Sequence, residues 1–297
     1  MYYNEHTLLF LNGKWIKAAE AAGDLFRQTL HYGNGVFEGI RSYDTPTGPQ
    51  IFKAREHYER LHHSAAKMYI TLTYSVEELI KISYELLEKN NLSNAYIRPL
   101  VYLGANMTLT LTDEVHVLIT AWRWGRYLGD KFVRVMISSY QRPNPHSVPV
   151  DAKVTGQYTN SILATTEAKS KGFDEALLLD LEGYIAEGPG ANFFLEKNGE
   201  LITPSLGHIL PGITRATIIE YAREFGFPVK ERKILPEEIN GADAAFFTGT
   251  AAEVAGIKSI GGYEFTTPWE DTMAHSLFHA YRNRVTKNEY GDFSVMV

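Results

Sequence analysis

An α+β fold in two domains is what this sequence predicts, and three observations carry the prediction. The chain has 297 residues, and at roughly 100–200 residues per domain that length suggests two of them. Hairpin signals and separate helices are mixed along it without a fixed-period repeat, which argues against a doubly wound parallel sheet. After Trp122 comes Arg-Trp-Gly-Arg-Tyr-Leu-Gly-Asp, an aromatic, glycine-containing connection that reads as a boundary. Domains are therefore expected over 1–124 and 131–297, joined by a loop at 125–130.

The elements follow in order. Leu8–Leu11 and Trp15–Ile16 flank Asn12-Gly13, which supplies the positive φ angles of a type I′ hairpin turn. Ala54 to Met68 reads as a helix. A second helix runs from about Val76 to Lys89, started by the capping box Ser75-x-x-Glu78 and stopped by Asn90-Asn91. Tyr96–Leu103 and Val115–Trp122 are β-branched and apolar, so strands are expected there. The second half opens with a strand at Phe132–Ser138 and a helix over roughly Thr159–Ser170. Strands at Ala176–Leu179 and Ala191–Leu195 follow, and Asn198-Gly199 turns the latter into Leu201–Ile202. A helix begins at Pro211–Thr214 and ends at Gly226; the last one covers Trp269–Val285.

Composition bounds the function. Hydrophobic residues make up 44% and charged residues 22%, so the chain can bury a large core. Its net charge of −6 repels phosphate backbones and excludes nucleic acid as an expected partner. Cysteine is absent, which removes thiol nucleophiles, iron–sulfur clusters and cysteine-ligated zinc together. A cytoplasmic address is expected, since nothing here needs an oxidising compartment. The N-terminus lacks the basic start and apolar stretch of a signal peptide, and no run reaches membrane-spanning length. No membrane association is expected.

Few local patterns carry chemistry alone. Gly33-Asn-Gly35-Val-Phe-Glu38-Gly39 approaches a nucleotide fingerprint, but its third glycine comes one position late. His57, His62 and His63 share one expected helix. A spacing of five does not bring 57 and 62 to one face, so a surface role is expected and no metal site is read. Lys153 sits in Val-Pro-Val-Asp-Ala-Lys-Val-Thr-Gly, among small and apolar residues. Desolvation disfavours the ammonium form, and Schiff-base chemistry needs the neutral amine. The same surroundings equally suit a structural lysine whose amine snorkels to water.

Seven segments then occur in a telling order: His31-Tyr-Gly-Asn-Gly-Val-Phe-Glu-Gly-Ile-Arg41, Glu59-Arg60-Leu61, Tyr96-Ile-Arg-Pro-Leu100, Ala152-Lys-Val-Thr-Gly156, Glu187-Gly-Pro-Gly-Ala-Asn192, Leu210-Pro-Gly-Ile-Thr-Arg215 and Gly249-Thr-Ala251. Together they resemble the class IV, fold type IV pyridoxal-phosphate aminotransferases, most closely the branched-chain amino-acid aminotransferases, over nearly the whole chain. The resemblance implies a D-amino-acid aminotransferase-like fold with a smaller N-terminal α/β domain and a larger C-terminal one. It implies pyridoxal 5′-phosphate as cofactor and a homodimer or higher homo-oligomer. The implied reaction is ping-pong exchange of an amino group between L-leucine, L-isoleucine or L-valine and 2-oxoglutarate.

Site roles follow from the same resemblance. Lys153 would hold the cofactor covalently and move the substrate proton. Glu187 would pair with the pyridine nitrogen and Tyr158 with the ring hydroxyl. Arg60, Leu210, Gly212, Ile213, Thr214 and Thr250 complete the cofactor set, several of them at a helix start, where free N–H groups and the dipole favour an anion. Substrate would meet Tyr32, Phe37, Gly39, Tyr96, Arg98, Trp124, Tyr127, Thr250 and Ala251. Tyr96 and Arg98 are two apart on a strand and so share a face. Arg98 and the tyrosine hydroxyls suit the side-chain carboxylate of glutamate.

Two departures touch the substrate range: the run Val-Tyr-Leu-Gly-Ala-Asn-Met after Leu100 is short and glycine-poor, and Gly190-Ala191 stands before Asn192 where an acidic residue is common. A D-amino-acid branch would use an Arg-x-His pair, and Leu100 occupies the second place here. An (R)-amine transaminase of the same fold is a closer rival. A non-catalytic binding homologue is the rival from a different class.

Overall fold

The computed structural model describes residues 2–125, 128 and 131–287. They divide into two compact units, each with its own sheet. Among the described residues, one unit comprises 2–125, 152–157 and 285–287, and the other 128, 131–151 and 158–284. The segment that carries Lys153 thus groups with the N-terminal residues.

The first unit runs β1 (Leu8–Leu11), β2 (Lys14–Lys17), α1 (Gln28–Tyr32), β3 (Val36–Phe37), β4 (Ile40–Thr45), β5 (Gly48–Ile51), α2 (Ala54–Lys67), α3 (Val76–Lys89), β6 (Ala95–Leu103) and β7 (Val115–Trp122). Its strands pair in the order β2-β1-β7-β6-β4-β5, with β3 also on β6. The expected hairpin turn is present, with φ of 50° at Asn12 and 83° at Gly13. Helix α2 buries Ala54, His57, Tyr58, Leu61, Ser64 and Ala65, the three-and-four spacing of one helical face. Helix α3 starts at the capping box: the Ser75 side chain accepts from Glu78 N at 3.2 Å, and Glu78 accepts from Ser75 N at 2.7 Å. Tyr58, Leu61, Leu79 and Leu86 from these helices share one core with Ile40, Ile97, Val101 and Ile119 of the sheet.

The second unit contains β8 (Val133–Gln141), α4 (Tyr158–Ser170), β9 (Glu175–Leu179), β10 (Ile185–Glu187), β11 (Asn192–Lys197), β12 (Glu200–Thr203), α5 (Ile213–Glu224), β13 (Val229–Glu231), β14 (Ala244–Gly249), β15 (Glu253–Ile260) and β16 (Tyr263–Glu264), then α6 (Met273–Lys287). Strand order is β10-β9-β8-β15-β14-β11-β12-β13, with β16 on β15. Strand β10 also pairs with β11 through Glu187↔Asn192. The ladder from β10 round to β11 therefore closes on itself, as in a barrel. Alternation sorts its side chains: Leu177 joins Val135, Phe193, Leu195 and Phe247 in one core, while Ala176 and Leu178 pack with Ala164 and Ala168 of α4.

Differences from expectation are local. The last helix is interrupted: Trp269–Asp271 forms a separate 3-10 turn, and Thr272 is extended with ψ 153°. Helix α1 and strands β3, β4, β5, β10, β13, β14, β15 and β16 were not expected. Replacing the α3 cap, Ser75→Ala, should lower unfolding free energy by about 0.5–2 kcal/mol, read as a shift in urea midpoint without a change of slope.

Candidate active site

Within the first unit, backbone contacts fix Lys153. Gly156 N donates to Gly33 O at 2.7 Å, Thr155 N to Gly35 O at 2.8 Å, and Phe37 N to Lys153 O at 3.1 Å. Lys153 N donates to the Ser64 hydroxyl of α2 at 2.9 Å. The glycine-rich stretch that approached a nucleotide fingerprint is thus the strip on which the lysine segment lies. Its glycines permit the approach: Gly33 has φ of +67°, and a Cβ there would stand 2.7 Å from Gly156 Cα. The Lys153 side chain is half-buried, its Nζ 5.0 Å from the centre of the Phe37 ring.

Phe37 is also covered by Arg98, whose guanidinium carbon lies 4.6 Å from the ring centre. Tyr96 and Arg98 do share a strand face, as their spacing predicts; Arg98 Nη2 donates to the Tyr96 hydroxyl at 3.2 Å. Arg98 Nε is buried without a hydrogen-bond partner among the described residues, which leaves a donor to satisfy. A Cβ on Gly39 would fall 1.9 Å from the Tyr96 hydroxyl, so only glycine leaves that oxygen its place. Trp124 stands edge-on to Tyr96, with ring centres 4.8 Å apart, and its carbonyl accepts from Arg41 Nη1 at 3.0 Å. Phe37, Gly39, Tyr96, Arg98 and Trp124 are therefore brought together. Tyr32 is not: it is exposed on α1, its hydroxyl donating to Met107 O at 3.1 Å. Tyr127 lies outside the described residues.

Beside this wall is a buried cluster that sequence reasoning missed. Arg60 Nε and Nη2 donate to the two oxygens of Glu38 at 2.7 and 2.9 Å. His57 Nδ1 lies 2.8 Å from Glu38 Oε2. Glu38 is wholly buried and His57 nearly so, which corrects the surface role expected for His57. Its place on the Ala54–Tyr58–Leu61–Ala65 stripe was the signal to follow. Burial alone would raise the Glu38 pKa, but the charges and hydrogen bonds of Arg60 and His57 outweigh it and hold the carboxyl well below the usual range. Burial lowers the His57 pKa, against the upward pull of Glu38. A carboxylate can only accept, so His57 donates to it through Nδ1.

In the second unit, Glu187 sits at the end of β10 and is 5% exposed. Its Oε2 accepts from Asn192 Nδ2 at 2.9 Å and its Oε1 from Leu210 N at 3.2 Å. Arg142 Nε lies 2.9 Å from Oε1 as an ion pair without forming a hydrogen bond. Asn192 Nδ2 also donates to Leu210 O at 2.9 Å, which ties the segment leading into α5 to the closing ladder. Helix α5 starts at Gly212 with no side-chain cap, and Thr214 is buried in its first turn. The amides of Ile213 and Thr214 make no hydrogen bond among the described residues. Thr250 and Ala251 form the half-buried turn between β14 and β15. Tyr158 is the half-buried first residue of α4.

Comparison with known proteins gives this geometry a family. The model for amino-transferase class IV matches residues 35–260. The branched-chain-amino-acid aminotransferase of Pseudomonas aeruginosa is 41% identical over 285 residues, 94% of this chain and 93% of its own. The solved structure of the Escherichia coli branched-chain amino acid aminotransferase superposes with a TM-score of 0.92 at 36% identity, covering 96% of this chain and 98% of that one. The branched-chain amino acid aminotransferase of Thermobaculum terrenum, solved in its PLP-bound holo form, gives 0.89 at 33% identity over 95% of both chains. On a match that spans most of its length, the chain belongs to the class IV aminotransferases.

Proposed function

We propose that this protein is a branched-chain amino-acid transaminase, exchanging the amino group of L-leucine, L-isoleucine or L-valine with 2-oxoglutarate. The similarity to relatives of that activity over nearly the whole chain carries the reading. Its cofactor is pyridoxal phosphate, and the donor set suits each part of that molecule. The two unbonded amides at the start of α5 suit a phosphate, because a helix N-terminus favours an anion. A buried carboxylate that already faces donors, Glu187, suits a protonated ring nitrogen. Lys153 supplies the primary amine that an aldehyde needs.

When bound, pyridoxal phosphate supplies a carbonyl that takes up the amino group and a ring that draws electrons from the substrate Cα. The rest is the work of this chain. Lys153 Nζ would hold the cofactor through its amine and would serve as the base and acid that moves the substrate Cα proton. Ser64 and Phe37, by holding the Lys153 backbone from both sides, keep the amine in reach. Glu187 keeps the ring nitrogen protonated, with Asn192 and Leu210 N holding its carboxylate in place. Tyr158 binds the ring hydroxyl. From the resemblance, Arg60 in the first unit and Ile213, Thr214 and Thr250 in the second would bind the phosphate, with Leu210 and Gly212 beside them.

One pocket must accept an aliphatic and an acidic side chain in turn. Phe37, Tyr96 and Trp124 give the aliphatic chain its wall. Arg98, with its unmet buried donor, receives the second carboxylate of glutamate. Tyr127 and Ala251 complete the set, and Tyr32, exposed on α1, is left out of it. We also assign a homodimer. Leu25, Phe26, Leu30, Met107 and Leu109 are exposed on two segments joined by the Asn106 N to Phe26 O hydrogen bond, and an exposed apolar patch marks an interface. A cytoplasmic address is supported by the cysteine-free composition.

Transfer from L-leucine to 2-oxoglutarate by the purified protein tests the reading; (R)-amines outperforming every L-amino acid would favour the rival transaminase. Glu187→Gln should keep cofactor but slow its reaction with excess L-leucine at least about tenfold, the lower end of what a hydrogen bond to a charged group is worth. An unchanged rate removes Glu187 from the mechanism. Arg98→Ala should weaken glutamate and 2-oxoglutarate by about 1.5–3 kcal/mol more than leucine and its keto acid, or roughly 10- to 150-fold in kcat/KM. Equal losses for both substrates would reduce Arg98 to a strand residue.

A further inference from the structure

The reaction just derived uses Arg60 but gives no part to Glu38 or His57. Yet Glu38 is wholly buried, and an ionised carboxylate out of water is strongly unfavourable unless both oxygens are paired. Its partners come from one face of α2, where residues 57, 60 and 64 follow each other at spacings of three and four. Arg60 grips the carboxylate with two parallel N–H groups, His57 donates to Oε2 from another side, and one turn on, Ser64 holds the Lys153 amide. On its own segment Glu38 lies between Phe37 and Gly39, and its Oε2 accepts from Gly39 N at 3.2 Å. The cluster thus joins the helix that carries Arg60 to the segment that forms the substrate wall.

We propose that Glu38 is a positioning residue for recognition of the cofactor phosphate, fixing the plane of the Arg60 guanidinium while His57 fixes the carboxylate. The proposal rests on the reading of Arg60 as a phosphate ligand. A guanidinium gripped at Nε and Nη2 has one orientation before any ligand arrives. The cost of ordering it falls on folding, and phosphate binding no longer bears it. His57 adds a further donor to the carboxylate, 2.8 Å from Oε2, so Glu38 is held from more sides than the Arg60 fork alone provides. Arg60 has 11% of its side-chain surface exposed and Glu38 none, so the arginine, and not the carboxylate, is the member that reaches beyond the cluster.

The test compares pyridoxal phosphate with pyridoxal, which lacks the phosphate, by absorbance titration of the full chain stripped of cofactor. Glu38→Gln should weaken pyridoxal phosphate about 10- to 100-fold, the loss typical when an outer partner of a binding group is removed, and leave pyridoxal unchanged. Equal losses for both ligands, or an unchanged preference for the phosphorylated one, overturn the proposal. Should Glu38→Gln fail to fold by circular dichroism, His57 carries the same question. His57→Asn keeps a donor near the Nδ1 position and should keep the phosphate preference; His57→Leu should lose part of it. Identical preferences in those two variants count against the proposal. Arg60→Ala separates the premises: if it leaves the preference intact, the phosphate role of Arg60 fails and the proposal with it. A parent chain that binds neither ligand overturns the transaminase reading itself.

Discussion

A carboxylate removed from water must find donors for both of its oxygens, and this constraint organises both units. In the first, Glu38 takes Arg60, His57 and the Gly39 amide. In the second, Glu187 takes Asn192, the Leu210 amide and the charge of Arg142. Buried Glu253 has both of its oxygens gripped by Arg282 of α6. Each satisfied carboxylate joins elements distant in sequence. Removing one partner from such a pair leaves a stranded charge, so these contacts fix geometry more than they add stability.

The reactive groups inherit their places from this frame. Lys153 carries the amine, but its backbone is fixed by Ser64 and Phe37, residues adjacent to the Glu38 cluster in helix and strand. Glu187 stands on the ladder pair with Asn192 that closes the sheet. The same asparagine holds Leu210, just ahead of the unbonded amides of α5. In each unit a chemical group and the element that orients it are tied by one short network, so small shifts at the site require breaking buried hydrogen bonds.

Local signals were legible and distant pairings were not. The Ser75–Glu78 box and the Asn12-Gly13 turn were read directly, because their partners lie within a few residues. Strands β14 and β15 escaped because Ala-Ala-Phe-Phe-Thr is buried throughout. A strand buried on both faces loses the alternation that betrays it. Helix α1, five residues long, is too short to show a period. His57 was misread because its partner, Glu38, lies 19 residues away and neither residue advertises the other. The motifs around Lys153, Glu187 and Arg60 were found through resemblance; spacing alone left Lys153 open to a structural reading.

Everything in the proposed chemistry turns on Lys153 being the amine that holds pyridoxal phosphate. Borohydride reduction of the cofactor-loaded protein, followed by peptide mass mapping, addresses that lysine directly. The expected result is one phosphopyridoxyl group per chain, on the peptide that contains Lys153, and loss of that adduct when L-leucine is added before reduction. An adduct on another lysine, or none on a protein that still transfers amino groups, would contradict it.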